Sequence, residues 1–451
     1  MPARDEEATL ADPTEGHSAI EYPDDVAEQI DPRFHSLEKT ASKEADESLS
    51  GVGEKEEVIY VEFEKGDTRN PVNFSRRNKW MIATPAILFT LISAANGSTY
   101  ALGFDSMTRD LNCTRFQAII GLSMFTLGFG VVPLVTASFS EEFGRQPLYI
   151  CSVIGFALMH LMAALAKNIQ TVLIARFLSG AFGSTGSTMV GGTISDLWPS
   201  YERGLPMAVF AVAAIGGTGL GPVAAGWIEM NPRLEWRWIQ WISLILTGAI
   251  GLTMVVFMTE TRSAVLLTRI AKKTRKETGD KRYRARVEDE RADLKTLIYI
   301  SCTRPVYLLL TEPVLASCSL WLGFAWGILY VLIESITPIF QSLHNFNATP
   351  ARTLFVWACF AIYLSVFTYL ADCYGPFASS ALAGQSLCRN LAGMAFPLFT
   401  QQMYAAMTYK WANTLFACLA ALMIPIPFVL FKWGPTLREK SKFASKVMQK
   451  A

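Results

Sequence analysis

The sequence predicts an all-α integral membrane protein of about ten transmembrane helices, split by a polar linker into a six-helix bundle and an incomplete four-helix bundle. Three observations predict it. Apolar residues make up 51% of the 451-residue chain and charged ones 18%, below the usual quarter. They cluster in runs near 20 residues, the length that crosses about 30 Å of hydrocarbon. Between the sixth and seventh runs lies a segment from Glu260 to Arg304 with thirteen Lys/Arg and seven Asp/Glu.

Residues 1–79 form an acidic arm. From Met1 to Asp67 it holds twenty Asp/Glu and six Lys/Arg, with few aromatics and no apolar periodicity, so it is expected to be disordered. No apolar h-region follows Met1, so the first span is expected to direct insertion. The first bundle, 80–259, takes spans Trp80–Phe104, Phe116–Ala137, Leu148–Ala166, Thr171–Thr193, Leu205–Ile228 and Trp238–Met258. After the linker, 260–305, the second bundle, 306–433, takes Val314–Phe340, Thr353–Ala371, Phe377–Met403 and Trp411–Phe431, and a basic tail, 434–451, follows. With the N-terminus inside, inner segments hold 25 Lys/Arg and outer loops seven, so both termini are expected to be cytoplasmic. Two sequons, at Asn112 and Asn347, fall in the expected outer loops and are candidates for glycosylation.

Chemistry is concentrated at a few points. GGTGLGPVAAG in the fifth span offers Gly217, Gly221 and Gly226 for close helix approach and Pro222 for a bend; a small-residue packing face is the plain alternative. ASFSEEFGRQPLY, between the second and third spans, sets Glu141, Gly144 and Arg145 in a short loop where acid and base can pair as a gate. Arg176 lies inside the fourth span, five residues from its outer end. An intramembrane Arg costs at least about 2.5–3.5 kcal/mol, so it needs a partner or water unless it snorkels outward. Glu334 in the seventh span and Arg389 in the ninth are expected to be buried and paired or functional, and a carboxylate in a partly dry cavity can exchange protons near neutral pH. Asp372, at an inner helix end, suits a solvated role as well as a gate. Asn96, Tyr100, Trp326, Tyr330 and Gln385 are weaker lining candidates, and His160 in the third span reads as a packed helix residue. No HExxH, GxSxG, phosphate-binding glycine loop or Cys/His cluster appears, so neither an enzyme nor a metal site is expected.

Several of these segments resemble the major facilitator superfamily. GGTGLGPVAAG is similar to its antiporter signature, with Ala225 in place of one Gly. The 137–149 loop resembles its loop motif, with Glu141, Gly144 and Arg145 in register and Ala137, Phe139 and Gln146 departing. Arg176, followed by Gly180 and Gly183, matches its fourth-helix motif. NPVNFSRRNKW, ISDLWPSYERG, the TET ending the sixth span and YLADCYGPFASSALAGQSLCRNLAGMAFPLFTQQMY look like the fungal drug:H+ antiporter branch that includes polyamine and multidrug exporters. The resemblance implies alternating access between two bundles, export of a small organic or cationic substrate against protons and no cofactor beyond the proton gradient. It also implies a plasma-membrane (alternatively vacuolar) location, a monomer, and no nucleic-acid partner. Arg176, Glu334, Arg389, Asn96 and Tyr100 would serve coupling or substrate, and Glu141, Gly144, Arg145 and Asp372 the gate. The family has twelve spans, and this sequence passes from its seventh span into the segment resembling the family's tenth. Two helices, on the order of 50–70 residues with their loop, are thus absent. A transport-dead or shortened product is the alternative to an active exporter.

Overall fold

The computed structural model describes residues 58–64, 66–199, 201–231, 233–289, 294–344, 366, 369–370, 373 and 378–440. The expected eighth span, Thr353–Ala371, lies outside them but for three residues, as do the candidates Asn347 and Asp372 and the tail beyond Lys440.

The first half begins with a rod. Ser75 caps α1 (Arg76–Thr99) by accepting from Asn78 N at 3.3 Å, and a 3-10 turn (Tyr100–Gly103) leads directly into α2 (Phe104–Asp110). The expected first span, Trp80–Phe104, is thus extended at both ends. α3 (Arg115–Glu142) starts at a reciprocal cap: Gln117 N donates to Thr114 Oγ1 at 3.2 Å, and Thr114 N to Gln117 Oε1 at 3.0 Å. α4 (Arg145–Ala164), α5 (Ile169–Leu197, capped by Asn168), α6 (Gly204–Glu229) and α7 (Glu235–Phe257) complete six spans. Their inner faces form a core around Phe89, Phe156, Tyr149, Ile194, Leu197 and Met254. The outer faces are apolar and bare: Trp227 is 78% exposed and Leu252 68%, as expected where the solvent is lipid.

Seven helical stretches among the described residues are long and apolar enough to cross a bilayer. α5 adds a further crossing by length, 29 residues, with its apolar run diluted by Gly, Ser, Thr and Arg176. The last of the seven stretches, Ser380–Gly434, has 55 residues. It comprises α12 (Ala378–Met423) and most of α13 (Pro425–Lys440), with Thr408 at φ 65 interrupting α12 where a loop between the ninth and tenth spans is expected. Only 6% of its most apolar window is buried, against 61% for the α1–α2 rod. That window is therefore largely bare among the described residues, while the start of α12 packs on the helix Pro313–His344 and on α3.

Two expected boundaries are corrected. The arm assigned as disordered up to residue 79 is ordered at its end, where Ile59–Tyr60 (β1) pairs in parallel with Tyr283–Arg284 (β2), followed by a 3-10 turn at Pro71–Asn73. The linker 260–305 is largely helical. α8 (Ser263–Thr278) ends at Gly279 (φ 71), and a short α9 (Arg286–Asp289) follows β2. α10 (Leu294–Thr311) then starts within the presumed linker and seats Leu308 in the second core beside Leu315, Leu322 and Leu370, before α11 (Pro313–His344). The charge count hid an apolar run, Leu294 to Leu310, that buries one side at Pro305 and Leu308 and leaves Tyr299 and Leu310 exposed. The Arg282 side-chain bond, with its backbone bond and charge, holds the Asp280 carboxyl below its usual range.

α6 lies against α1 without side chains between them. A Cβ on Gly217 would strike the carbonyl of Leu91, and one on Gly221 would lie 2.9 Å from the carbonyl of Ala95. Pro222, buried within α6, frees one backbone carbonyl there. Gly226 has room, its nearest neighbour being Leu102 at 3.8 Å. Gly217→Val or Gly221→Val is expected to cost about 1–3 kcal/mol by forcing the helices apart. The measurement is the apparent melting temperature of detergent-solubilised protein, and a Gly226→Ala control should melt with the parent; equal melting of all three would refute the close approach.

Candidate functional site

The centre of the molecule is a fully buried cation. Arg176, 1% exposed, projects from α5, with its guanidinium carbon 4.3 Å from the ring centre of Tyr100 and 4.4 Å from that of Phe125. Its Nη1 donates to Asn96 Oδ1 at 2.8 Å and to the Asn96 carbonyl at 3.3 Å, and Nε to the Gly121 carbonyl at 3.4 Å. These partners are all neutral. Two aromatic faces at up to about 2 kcal/mol each, with the carbonyl bonds, offset an insertion penalty of about 2.5–3.5 kcal/mol. The side chain turns inward, and the snorkelling alternative is set aside.

The network continues from Asn96. Its carboxamide oxygen faces Arg176, so its Nδ2 must donate to His160 Nε2 at 2.9 Å. His160 Nε2 is then an acceptor, and the ring proton on Nδ1 donates to Gln240 Oε1 at 2.9 Å. A chain Arg176–Asn96–His160–Gln240 thus joins α5, α1, α4 and α7. His160, expected as a packed helix residue, is also a link in this network. Its packing is real, edge-on to Phe156 at 4.6 Å, but both nitrogens are engaged. The apolar setting of a histidine opposite buried amides was the available signal.

The second half meets this site. Trp326 and Tyr330 of α11 share one buried cluster with Tyr100, Phe104 and Leu122, and the Tyr330 hydroxyl sits against Gly97. Arg389 of α12, 9% exposed, lies over Trp326 at 4.8 Å. Ser123 Oγ of α3 donates to the Met394 carbonyl of α12 at 2.8 Å, a direct bond between halves. The hydroxyl of Tyr100 and Nε2 of Gln385 are buried with no hydrogen-bond partner among the described residues. Such orphan groups cost about 1–3 kcal/mol each, and they suit a site built to receive a polar ligand. Glu334 falls on α11 one turn beyond Tyr330, with its side chain outside the described set.

At the linker end Arg145 is held by residues distant in sequence. The side chain of Glu141 lies outside the described set, and Arg145 has other partners. Its Nε is bound closely by Asp196 at the end of α5, both side chains about one-tenth exposed. Glu260, 4% exposed, accepts from four backbone N–H groups: Arg145 (3.0 Å), Gln146 (3.3 Å), Thr261 (3.0 Å) and Arg262 (3.0 Å). It therefore caps the N-terminus of α4 from beyond the end of α7. Gly144 makes the turn at φ 93, and a side chain there would enter the Glu260 carboxylate. Arg262 and Thr261 also approach Asp196, at 3.8 Å and 3.5 Å. Asp196 and Glu260 were missed as site residues because they lie 51 and 115 positions from Arg145, although ISDLW and TET stood out as motifs.

At the opposite end Asp110 accepts from Trp236 Nε1 (3.0 Å) and Arg237 Nε (2.9 Å), while Arg237 also caps the last carbonyls of α4 at Ala164 and Ala166. Asn112 is exposed at φ 48 in the α2–α3 loop.

Two helical halves enclosing a buried cationic and aromatic junction, with a charged lock at one end, define a polytopic transporter-like membrane protein. A family model described as Major Facilitator Superfamily matches residues 86–382. The chain is 31% identical to an uncharacterised MFS-type transporter of Schizosaccharomyces pombe, covering 94% of this chain and 88% of that protein. It is 29% identical to the multidrug transporter mdrA of Aspergillus fumigatus, covering 89% and 78%. Among solved structures, a peptide transporter POT in complex with sulfate superposes with TM-score 0.57 at 9% identity, over 83% of this chain and 99% of that one. The inward-open xylose transporter XylE of E. coli gives 0.52 at 15%, over 76% and 94%. The chain belongs to the Major Facilitator Superfamily. The alignment to the S. pombe relative has 497 positions against 451 residues here, so that relative carries segments this chain lacks.

Proposed function

We propose that the protein exports small organic compounds, drug-like molecules or polyamines among them, in exchange for protons by alternating access. It would do so as a monomer in the plasma membrane, with both termini cytoplasmic. The observation that carries the reading is the Arg176 site: a buried cation, two aromatic faces and an orphan tyrosine hydroxyl, placed where the two halves meet. A rocking motion between halves would open that junction to either side in turn. The curated relatives named as multidrug transporters support the substrate class. Arg389 and Glu334 would contribute from the second half, and Arg145, Asp196 and Glu260 would lock the linker end.

The test is expression of the full chain in a yeast strain stripped of its own pumps, followed by rhodamine 6G efflux. Energy-dependent efflux that a protonophore abolishes is expected; retention of dye at the empty-vector level would defeat the proposal. A second reading, a transport-dead product, is favoured by the shortened second half. Sequencing the transcript between Phe346 and Phe355 separates the two: recovery of two further spans there would make the short form a splicing or gene-prediction product.

A further inference from the structure

The linker presents an exposed basic face with unfilled charge. Between Ser263 and Arg286 it holds nine Lys/Arg and two Asp/Glu. Some of these cations are engaged: Lys273 with Glu277 at 3.7 Å, Arg282 with Asp280 at 2.9 Å, Arg275 with Glu288 at 2.8 Å, and Arg286 over the Tyr60 ring at 6.0 Å. Lys272, Lys276 and Lys281 are exposed, and no carboxylate among the described residues pairs with them.

The acidic arm is delivered to this face. Residues 1–57 carry seventeen Asp/Glu and five Lys/Arg. They precede Val58 and β1, and the chain there is hydrogen-bonded to the linker by Ile59 N to the Arg282 carbonyl and Val61 N to the Arg284 carbonyl, both 2.9 Å. The strands are parallel, with Ile59 opposite Tyr283. In sequence, the acidic residues nearest this anchor are Glu57, Glu56 and Glu54.

We propose that this basic face is the docking surface for the acidic N-terminal arm of the same chain, with β1–β2 as the anchor and Lys272, Lys276 and Lys281 as the receiving cations. The anchor holds the arm at short tether, so weak exposed ion pairs act together where singly they would contribute little. The attraction is between exposed charges and therefore fades with salt, as the Debye length falls from about 10 Å at 0.1 M to about 3 Å at 1 M. This inference does not require transport.

The experiment uses the full-length protein in neutral phosphatidylcholine nanodiscs. A zero-length carbodiimide cross-linker is applied at 50 mM and 1 M salt, with peptides identified by mass spectrometry on a mixture of 14N- and 15N-labelled protein. Links from carboxylates of residues 1–57 to Lys272, Lys276 or Lys281 are expected at low salt, within one isotope form, and lost at high salt. In the surface variant K272E/K276E/K281E, trypsin should cut the arm about three- to tenfold faster, each exposed pair being worth a factor of about 1.4–5. The proposal is overturned if the Lys273–Glu277 link forms as an internal control but no arm link does. Links only between isotope forms would assign the face to a second copy. Arm links that vanish when phosphatidylserine replaces a third of the lipid would assign it to the anionic membrane surface.

Discussion

Replacing Arg176 by Ala is expected to abolish rhodamine 6G efflux while leaving the protein folded. The variant removes a buried charge together with its cost of burial, and what remains is neutral: Asn96 Oδ1 and the carbonyls of Asn96 and Gly121 lose a donor. That loss is worth about 1–3 kcal/mol, partly returned by removing the charge, so the apparent melting temperature should move little. Arg176→Lys is the sharper variant. An ammonium keeps the charge but cannot lie flat against Tyr100 and Phe125 while bonding Asn96 and Gly121 together, so efflux should stay below roughly a tenth of the parent rate. Unchanged efflux in Arg176→Ala would remove this residue from the mechanism. Lost efflux with a collapsed melting temperature would make it a structural post.

Glu260→Ala is expected to have the largest effect on stability. Four backbone N–H groups at the starts of α4 and α8 share one carboxylate, and its loss strands them around a buried Arg145–Asp196 pair. Breaking such a buried charged arrangement costs about 3–5 kcal/mol, which should lower the apparent melting temperature by about 5–15 °C. Glu260→Gln keeps an accepting oxygen and should fall between Ala and the parent. Asp196→Asn should weaken the lock less, since Glu260 still holds the α4 N-terminus. A Glu260→Ala protein melting within about 2 °C of the parent would show that water replaces the carboxylate.

The spans of the first half were legible because their signal is local: a run of apolar residues long enough to cross a bilayer. Arg176 was legible for the same reason, one charge in such a run. Its surroundings were not, because Asn96 lies 80 positions away and two of its supports are ring faces, which leave no charge pattern to read. The partners of Arg145 were hidden by the same bias toward near neighbours. Glu141 and Arg145 sit four apart in sequence, yet Arg145 turns to Asp196 across the bundle and takes Glu260 at its backbone. In the linker, counting charge concealed both the apolar face of α10 and the strand that ties the arm back to residue 283.

The bare-backbone contact between α1 and α6 sets where this molecule can bend. With Gly217 and Gly221 seated directly on the Leu91–Ala95 turn, there is no layer of side chains to change rotamer, and the two helices can only travel together. Compliance has to come from contacts that slide. The contacts that cross between halves include the Ser123–Met394 bond, the approach of Gly130 to Asn390 and the Trp326–Tyr330 cluster. The first half would then behave as a stiff casing, and a shortened second half as the part whose motion is least guided.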